Sequence, residues 1–162
     1  MLAGDTVTKP GVNSLLAIAQ AKVGDDVYGE DITTNDLEEY MSKRTGHESS
    51  LFVMSGTMGN QIAIRTHLVQ PPYSVLCDES SHIITSEAGG VSMWTGATVY
   101  PVAPQNGQFL TLEDVKAHYI PGANSTYGYT RTGNPAGINI HSCPTKLISL
   151  EVCTSPNYVF SR

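Results

Sequence analysis

The stretch Leu51-Phe-Val-Met-Ser-Gly-Thr-Met-Gly-Asn-Gln-Ile-Ala-Ile64 constrains this chain most. Leu51 to Met54 reads as a short buried strand, Ser55-Gly56-Thr57 as a tight turn, and Met58 onward as the opening of a helix. A strand that breaks at glycine and starts a helix aims backbone N–H groups and the positive end of the helix at one spot. Such a corner suits an anion, and a phosphate best of all. Many corners of this kind bind nothing, so the rest of the chain has to decide.

Three further apolar runs read as strands: Ser74-Val-Leu-Cys-Asp78, Ala97-Thr-Val-Tyr-Pro-Val102 and Lys146-Leu-Ile-Ser-Leu-Glu151. Helical patterns alternate with them. A first helix is expected from a cap at Asn13 or Ser14 through Leu15, Leu16, Ile18 and Val23. A second is expected from the capping-box spacing Asn35-Asp-Leu-Glu38, with Leu37, Tyr40 and Met41 on one face and Gly46 as its stop. A third runs from about Thr57 to Gln70. A fourth starts at His82 and carries Ile83, Ile84, Ala88, Val91 and Trp94, with Gly89-Gly90 implying close approach by another element. A short helix follows Thr111-Leu-Glu-Asp114. Strands alternating with helices predict an α/β fold, a mostly parallel sheet with helices on both faces. Ligands of such sheets bind beyond the carboxyl ends of the strands, where Ser55-Gly56-Thr57, His82 and Glu151 all fall.

Composition narrows the function. At 162 residues the chain has the length of one domain or most of one, and its net charge of −6 with scattered Lys and Arg excludes general nucleic-acid binding. No apolar run is long enough for a membrane helix, and no membrane partner is expected. Cys77, Cys143 and Cys153 are odd in number and lack metal-site spacing, so neither a disulfide framework nor a metal centre is expected, and a cytoplasmic setting is. The Gly24–Asp31 segment reads as a solvated loop, or as one that turns Tyr28 toward a pocket. From 121 to 144 the sequence has no period, a length usually functional or disordered. The glycine corner lacks the lysine of a P-loop and is not G-x-G-x-x-G, which disfavours nucleotides. A single phosphate whose organic part is covered by an aromatic or histidine face fits better. Pyridoxal phosphate has that shape, although composition does not select it from other monophosphates.

Several blocks together carry a family resemblance. Asp5-Thr-Val-Thr-Lys-Pro, Val23-Gly-Asp-Asp-Val-Tyr-Gly-Glu-Asp31, Phe52-Val-Met-Ser-Gly-Thr-Met-Gly-Asn-Gln61, Ser81-His82, Glu87-Ala-Gly-Gly and Lys146-Leu-Ile-Ser-Leu-Glu resemble the low-specificity L-threonine aldolases. The likeness runs from about residue 4 to residue 151. It implies fold type I of the pyridoxal-phosphate enzymes and cleavage of L-threonine or L-allo-threonine to glycine and acetaldehyde. It implies that Gly56 and Thr57 hold the cofactor phosphate and that His82 stacks on the pyridine ring near the substrate hydroxyl. It also implies a second active-site histidine at His141 and a Tyr28 loop lining the site near a dimer interface. A base at the β-hydroxyl must reach it directly or through one water, which leaves His82 and His141 as candidates. The partners implied are a small amino-acid substrate and further copies of the chain, as a dimer or tetramer.

The chain departs from that family at both ends. Ala3-Gly4 stands where the family has Arg-Ser, and Val152-Cys-Thr-Ser155 where it continues Asn-Thr-His-Asn. The Asp that pairs with the pyridine nitrogen, its nearby Arg and the Schiff-base lysine lie farther along in the family, and no lysine of this chain is expected to replace the last. The expected organisation is a lead-in and helix over 1–24, a partial cofactor-binding domain over 25–151 and an unrelated tail over 152–162, without the small C-terminal domain. On this reading the chain is a truncated aldolase, inactive alone; the competing reading is a non-catalytic subunit that associates with the full-length enzyme.

Overall fold

The computed structural model describes residues 8–122 and 142–151. They divide into two compact units, before and after the Val53–Met54 bond.

The first unit holds helix α1 (Val12–Gln20), a 3-10 turn (Asp26–Tyr28) and helix α2 (Ile32–Thr45). Helix α1 starts at Gly11 with no side-chain cap, so neither Asn13 nor Ser14 plays the part expected of it. Helix α2 also starts earlier than the capping-box spacing implied. Its cap is Asp31, whose Oδ1 accepts the Thr34 N–H at 2.8 Å while Oδ2 accepts the Gly24 N–H at 2.9 Å. Asn35 instead donates from Nδ2 to the Gly29 carbonyl at 2.8 Å. Asp31 prevails because one carboxylate closes both the helix and the loop before it. These backbone N–H bonds, Thr34's first, hold its carboxyl below the usual aspartate range. The helix ends as expected at Gly46, in the left-handed region with φ 74°.

Leu51 to Met54 is not a strand and is not buried. Leu51 and Phe52 are more than half exposed. The Phe52 N–H goes to Glu38 Oε1 at 2.7 Å, so a side chain of α2 takes the hydrogen bond that a neighbouring strand would have taken.

The second unit is a parallel three-stranded sheet of order β2-β1-β3, with β1 at Ser74–Asp78, β2 at Thr98–Val102 and β3 at Thr145–Ser149. Every residue of β1 is buried, as the central strand of a parallel sheet requires. Val75 and Cys77, on one face, pack with Ile64 and Leu68 from helix α3 (Gly56–His67) and its end, with Ile83, and with Val91. Helix α3 lies against β3 and against the short helix α5 (Gly90–Thr95), which lies against β2. Leu76 is buried on the opposite face of the strand, outside that cluster.

One helix was expected from His82; two form. Helix α4 (His82–Thr85) ends after one turn, and the chain swings through Ala88 at φ 51° and Gly89 at φ 72° before α5 begins. The close approach expected at Gly90 is real: a Cβ there would lie 2.1 Å from Gln61 Nε2 on α3. Helix α6 (Leu112–His118) opens with the expected Thr111–Asp114 capping box, and the Thr111 hydroxyl and N–H hold the Asp114 carboxyl below its usual range.

Candidate active site

In a parallel sheet all carboxyl ends lie together, and here they are the Asp78, Val102 and Ser149 ends. Glu79 to His82 leaves β1 at that edge, and Leu150-Glu151 leaves β3. The two are joined directly, because the His82 backbone N–H donates to Glu151 Oε1 at 2.6 Å. Beneath them, the Asp78 carboxylate tightens the turn by accepting the Ser80 N–H at 2.8 Å and the Ser80 hydroxyl at 2.7 Å, both on Oδ1.

Helix α3 brings the third group. Ser55 caps it, its Oγ accepting the Met58 N–H at 3.1 Å. First-turn N–H groups have no acceptor inside a helix. With Met58 served, those of Gly56 and Thr57 point out of the helix end. Gly56 and Asn60 are four residues apart and share a face. From that face Asn60 Nδ2 donates to Glu87 Oε1 at 2.6 Å, and the same oxygen lies 2.8 Å from Nδ1 of His82. A continuous chain, Asn60–Glu87–His82–Glu151, therefore links α3 to the ends of β1 and β3. The His82 side chain is about half exposed, at 54%, over a Glu87 side chain that is fully covered.

His82 and Glu151 thus meet directly, and the Ser55-Gly56-Thr57 corner opens α3, the helix whose Asn60 joins the same chain one turn later. Tyr28 belongs to the first unit, in the 3-10 turn, with its side chain exposed. That turn is held by Asp25, whose Oδ1 accepts the Val27 N–H at 2.9 Å. A Cβ on Gly24 would stand 2.3 Å from the Glu30 carbonyl oxygen, so glycine is required there. His141 lies outside the described residues.

Glu87 and Asn60 were not singled out as site residues by the sequence reading. The available signal was an acidic residue five positions after His82, set among Ile83, Ile84, Ala88 and Val91, where a charge has no ordinary place. Cys77, under the site in β1, is wholly buried, and burial pushes its thiol up from the usual cysteine range, the opposite of an activated nucleophile.

A largely apolar groove of about 580 Å³ is lined by Ser55 and Thr57 of the corner and by Met58, Ile62 and Arg65 along α3, with Trp94 across from it. His82 lines neither this groove nor the smaller one of about 260 Å³ between α3 and β3.

Comparison with known proteins supplies independent information. The profile of the family described as beta-eliminating lyase matches residues 2–156. The low specificity L-threonine aldolase of Saccharomyces cerevisiae is 47% identical over 150 residues, 93% of this chain and 35% of the relative. The low-specificity L-threonine aldolase of Eremothecium gossypii is 48% identical over 147 residues, 91% of this chain and 35% of the relative. A more distant relative, the alanine racemase TOXG of Cochliobolus carbonum, is 35% identical over 147 residues, 91% of this chain and 34% of that protein. The chain spans about a third of the length of these relatives.

Proposed function

The chain belongs to the beta-eliminating lyase family, and from that premise we propose that it forms the phosphate-binding and histidine-bearing part of a pyridoxal-phosphate aldehyde-lyase. The reaction proposed for the whole protein is cleavage of L-threonine or L-allo-threonine to glycine and acetaldehyde. The observation that carries this reading is the hydrogen-bonded chain from Asn60 of α3 through Glu87 to His82, which ties the imidazole to the helix that the Ser55-Gly56-Thr57 corner opens.

The residues fit the cofactor. A phosphate needs N–H donors and room, and a Cβ on Gly56 would meet nothing within 4 Å. Gly56 and Thr57 would hold the phosphate through their N–H groups, with Ser55 keeping the turn closed. Pyridoxal phosphate, when bound, supplies an electron-poor ring that accepts the electron pair left at Cα. His82 would cover that ring and would take the proton of the substrate β-hydroxyl at Nε2. His141 is proposed as the second histidine at that hydroxyl.

The names of two relatives support threonine as the substrate. The racemase name of a third marks the limit of family membership, since it does not by itself fix which bond at Cα is labilised. These 162 residues are proposed to lack turnover alone. Lys146 is the second residue of β3 while Glu151 follows its far end, about 16 Å away at strand spacing, and Lys9, Lys22, Lys43 and Lys116 are exposed.

A chimera tests the reading. Residues 4–151 would replace the aligned third of the yeast relative, and acetaldehyde release from both threonine diastereomers would be measured. Cleavage by the chimera, with none by the 162-residue chain, is expected. A folded, cofactor-loaded chimera that releases no acetaldehyde would overturn the proposal.

A further inference from the structure

Glu87, Asp78 and Asp114 are the buried carboxylates among the described residues of the second unit, and of these Glu87 is the one that neither a helix cap nor a strand-end turn accounts for. Its side chain is fully covered, and Oε1 alone meets both His82 Nδ1, at 2.8 Å, and Asn60 Nδ2, at 2.6 Å. Oε2 is buried with no hydrogen-bond partner. Burying a carboxylate this way is costly, and leaving one oxygen unmatched adds to the cost. The segment carrying it is bent as well: Ala88, the next residue, sits at φ 51°, in the region an alanine rarely adopts. A chain that only needed to fill this space would carry an apolar residue in relaxed backbone.

We infer that Glu87 is a positioning residue for His82, fixing the imidazole as its Nδ1–H tautomer so that Nε2 presents a lone pair on the exposed side. A carboxylate oxygen only accepts, so the proton of the Nδ1–Oε1 contact belongs to Nδ1 and the lone pair of the neutral ring to Nε2. Asn60 has no part in the tautomer; it holds Oε1 from α3 and so fixes the ring relative to the Gly56 end of that helix. The Glu151 carboxylate completes the arrangement by holding the His82 backbone N–H at 2.6 Å, which leaves the ring as the part that Glu87 must orient. The step served is a proton transfer: the β-hydroxyl O–H bond breaks, an N–H bond forms at Nε2, and the electron pair stays on oxygen.

This inference rests on the proposed role of His82 but is read without cofactor or turnover. Long-range proton–nitrogen correlation on the chain labelled with nitrogen-15 histidine reports the tautomer at a pH well above the ordinary histidine range. His82 is assigned by comparison with H82Q. The wild-type ring is expected as mainly Nδ1–H. Glu87→Leu, folded by far-ultraviolet circular dichroism, should turn to mainly Nε2–H, while Asn60→Leu should keep Nδ1–H. A wild-type ring that is mainly Nε2–H overturns the inference, and this spectrum decides alone if Glu87→Leu fails to fold. A folded Glu87→Leu chain that stays Nδ1–H overturns it equally. An Nδ1–H ring in a chain whose chimera is inactive would leave this inference standing and remove the proposed function.

Discussion

The two units keep their shape by different means. The second is built on β1, buried throughout, with Val75 and Cys77 locked among Ile64, Leu68, Ile83 and Val91. In the first, residues 8–53, no described residue is buried; side chains such as Leu15, Ile18, Val27 and Tyr28 stand exposed. Its shape comes from short-range polar bonds: Asp25 to Val27, Asp31 to Thr34 and Gly24, Asn35 to Gly29, Glu38 to Phe52. The comparison teaches where chemistry can be held to tenths of an ångström. The candidate site sits on the unit that has a core, and its two hydrogen bonds to Glu87 are part-buried, whereas most of those that shape the first unit are exposed.

Paired core and surface truncations would break the comparison most sharply. Leu76→Ala should cost about 2–5 kcal/mol of stability in the second unit, because a fully buried side chain leaves a cavity. Leu15→Ala in α1, at an exposed position, should change stability by no more than about 0.5 kcal/mol. Urea unfolding followed by residue-resolved hydrogen exchange measures both, and equal costs would contradict the division drawn here.

Glycine substitutions act next. Gly24→Ala drives a methyl group into the Glu30 carbonyl, for a cost of about 1–3 kcal/mol. The effect should appear as lost exchange protection over residues 22–31, with β1 amides unchanged. Gly90→Ala meets only the end of the Gln61 side chain, which can move aside, so its effect should be smaller.

Removing a cap comes after that. Ser55→Ala should cost about 1 kcal/mol and loosen the first turn of α3, seen as faster exchange at Met58.

Acid gives the mildest separation. The folded carboxyls of Asp31 and Asp114 are both held below the ordinary aspartate range. Their contribution is therefore fully present above that range and lost as pH falls through the depressed folded values. Asp31→Asn should flatten the acid limb of the stability profile in the first unit, and Asp114→Asn that in the second.

The sequence made some of this legible and hid the rest for physical reasons. The β1, β2 and β3 runs, the Thr111–Asp114 box, the Gly46 stop and the meeting of His82 with Glu151 follow from local pattern and the strand-end rule. Leu51–Met54 misled because a four-residue apolar run does not reveal its hydrogen-bond partner, and Glu38 lies too far along the chain to be read as that partner. Asn35 and Asp31 were both chemically able to cap α2; the second bond to Gly24 decided it. The break between α4 and α5 falls at an alanine with positive φ, which no propensity announces. Glu87 was hidden because a buried, shared carboxylate is a property of the fold around it, and its apolar sequence neighbours signal burial without naming His82 and Asn60 as its partners.

The central claim is that the first turn of α3 is a phosphate site. Pyridoxamine phosphate and pyridoxamine, which lack an aldehyde and so form no imine with surface lysines, would be titrated against the wild-type chain and Gly56→Asp. An acidic residue in a first helical turn favours the helix but repels a bound anion, so folding and binding should part company. The account predicts that wild type binds the phosphate form at least about tenfold more tightly than pyridoxamine, a difference of about 1.4 kcal/mol. It predicts that Gly56→Asp removes that preference with no loss of thermal stability. Equal affinity for the two ligands, or a preference that survives Gly56→Asp, would contradict it.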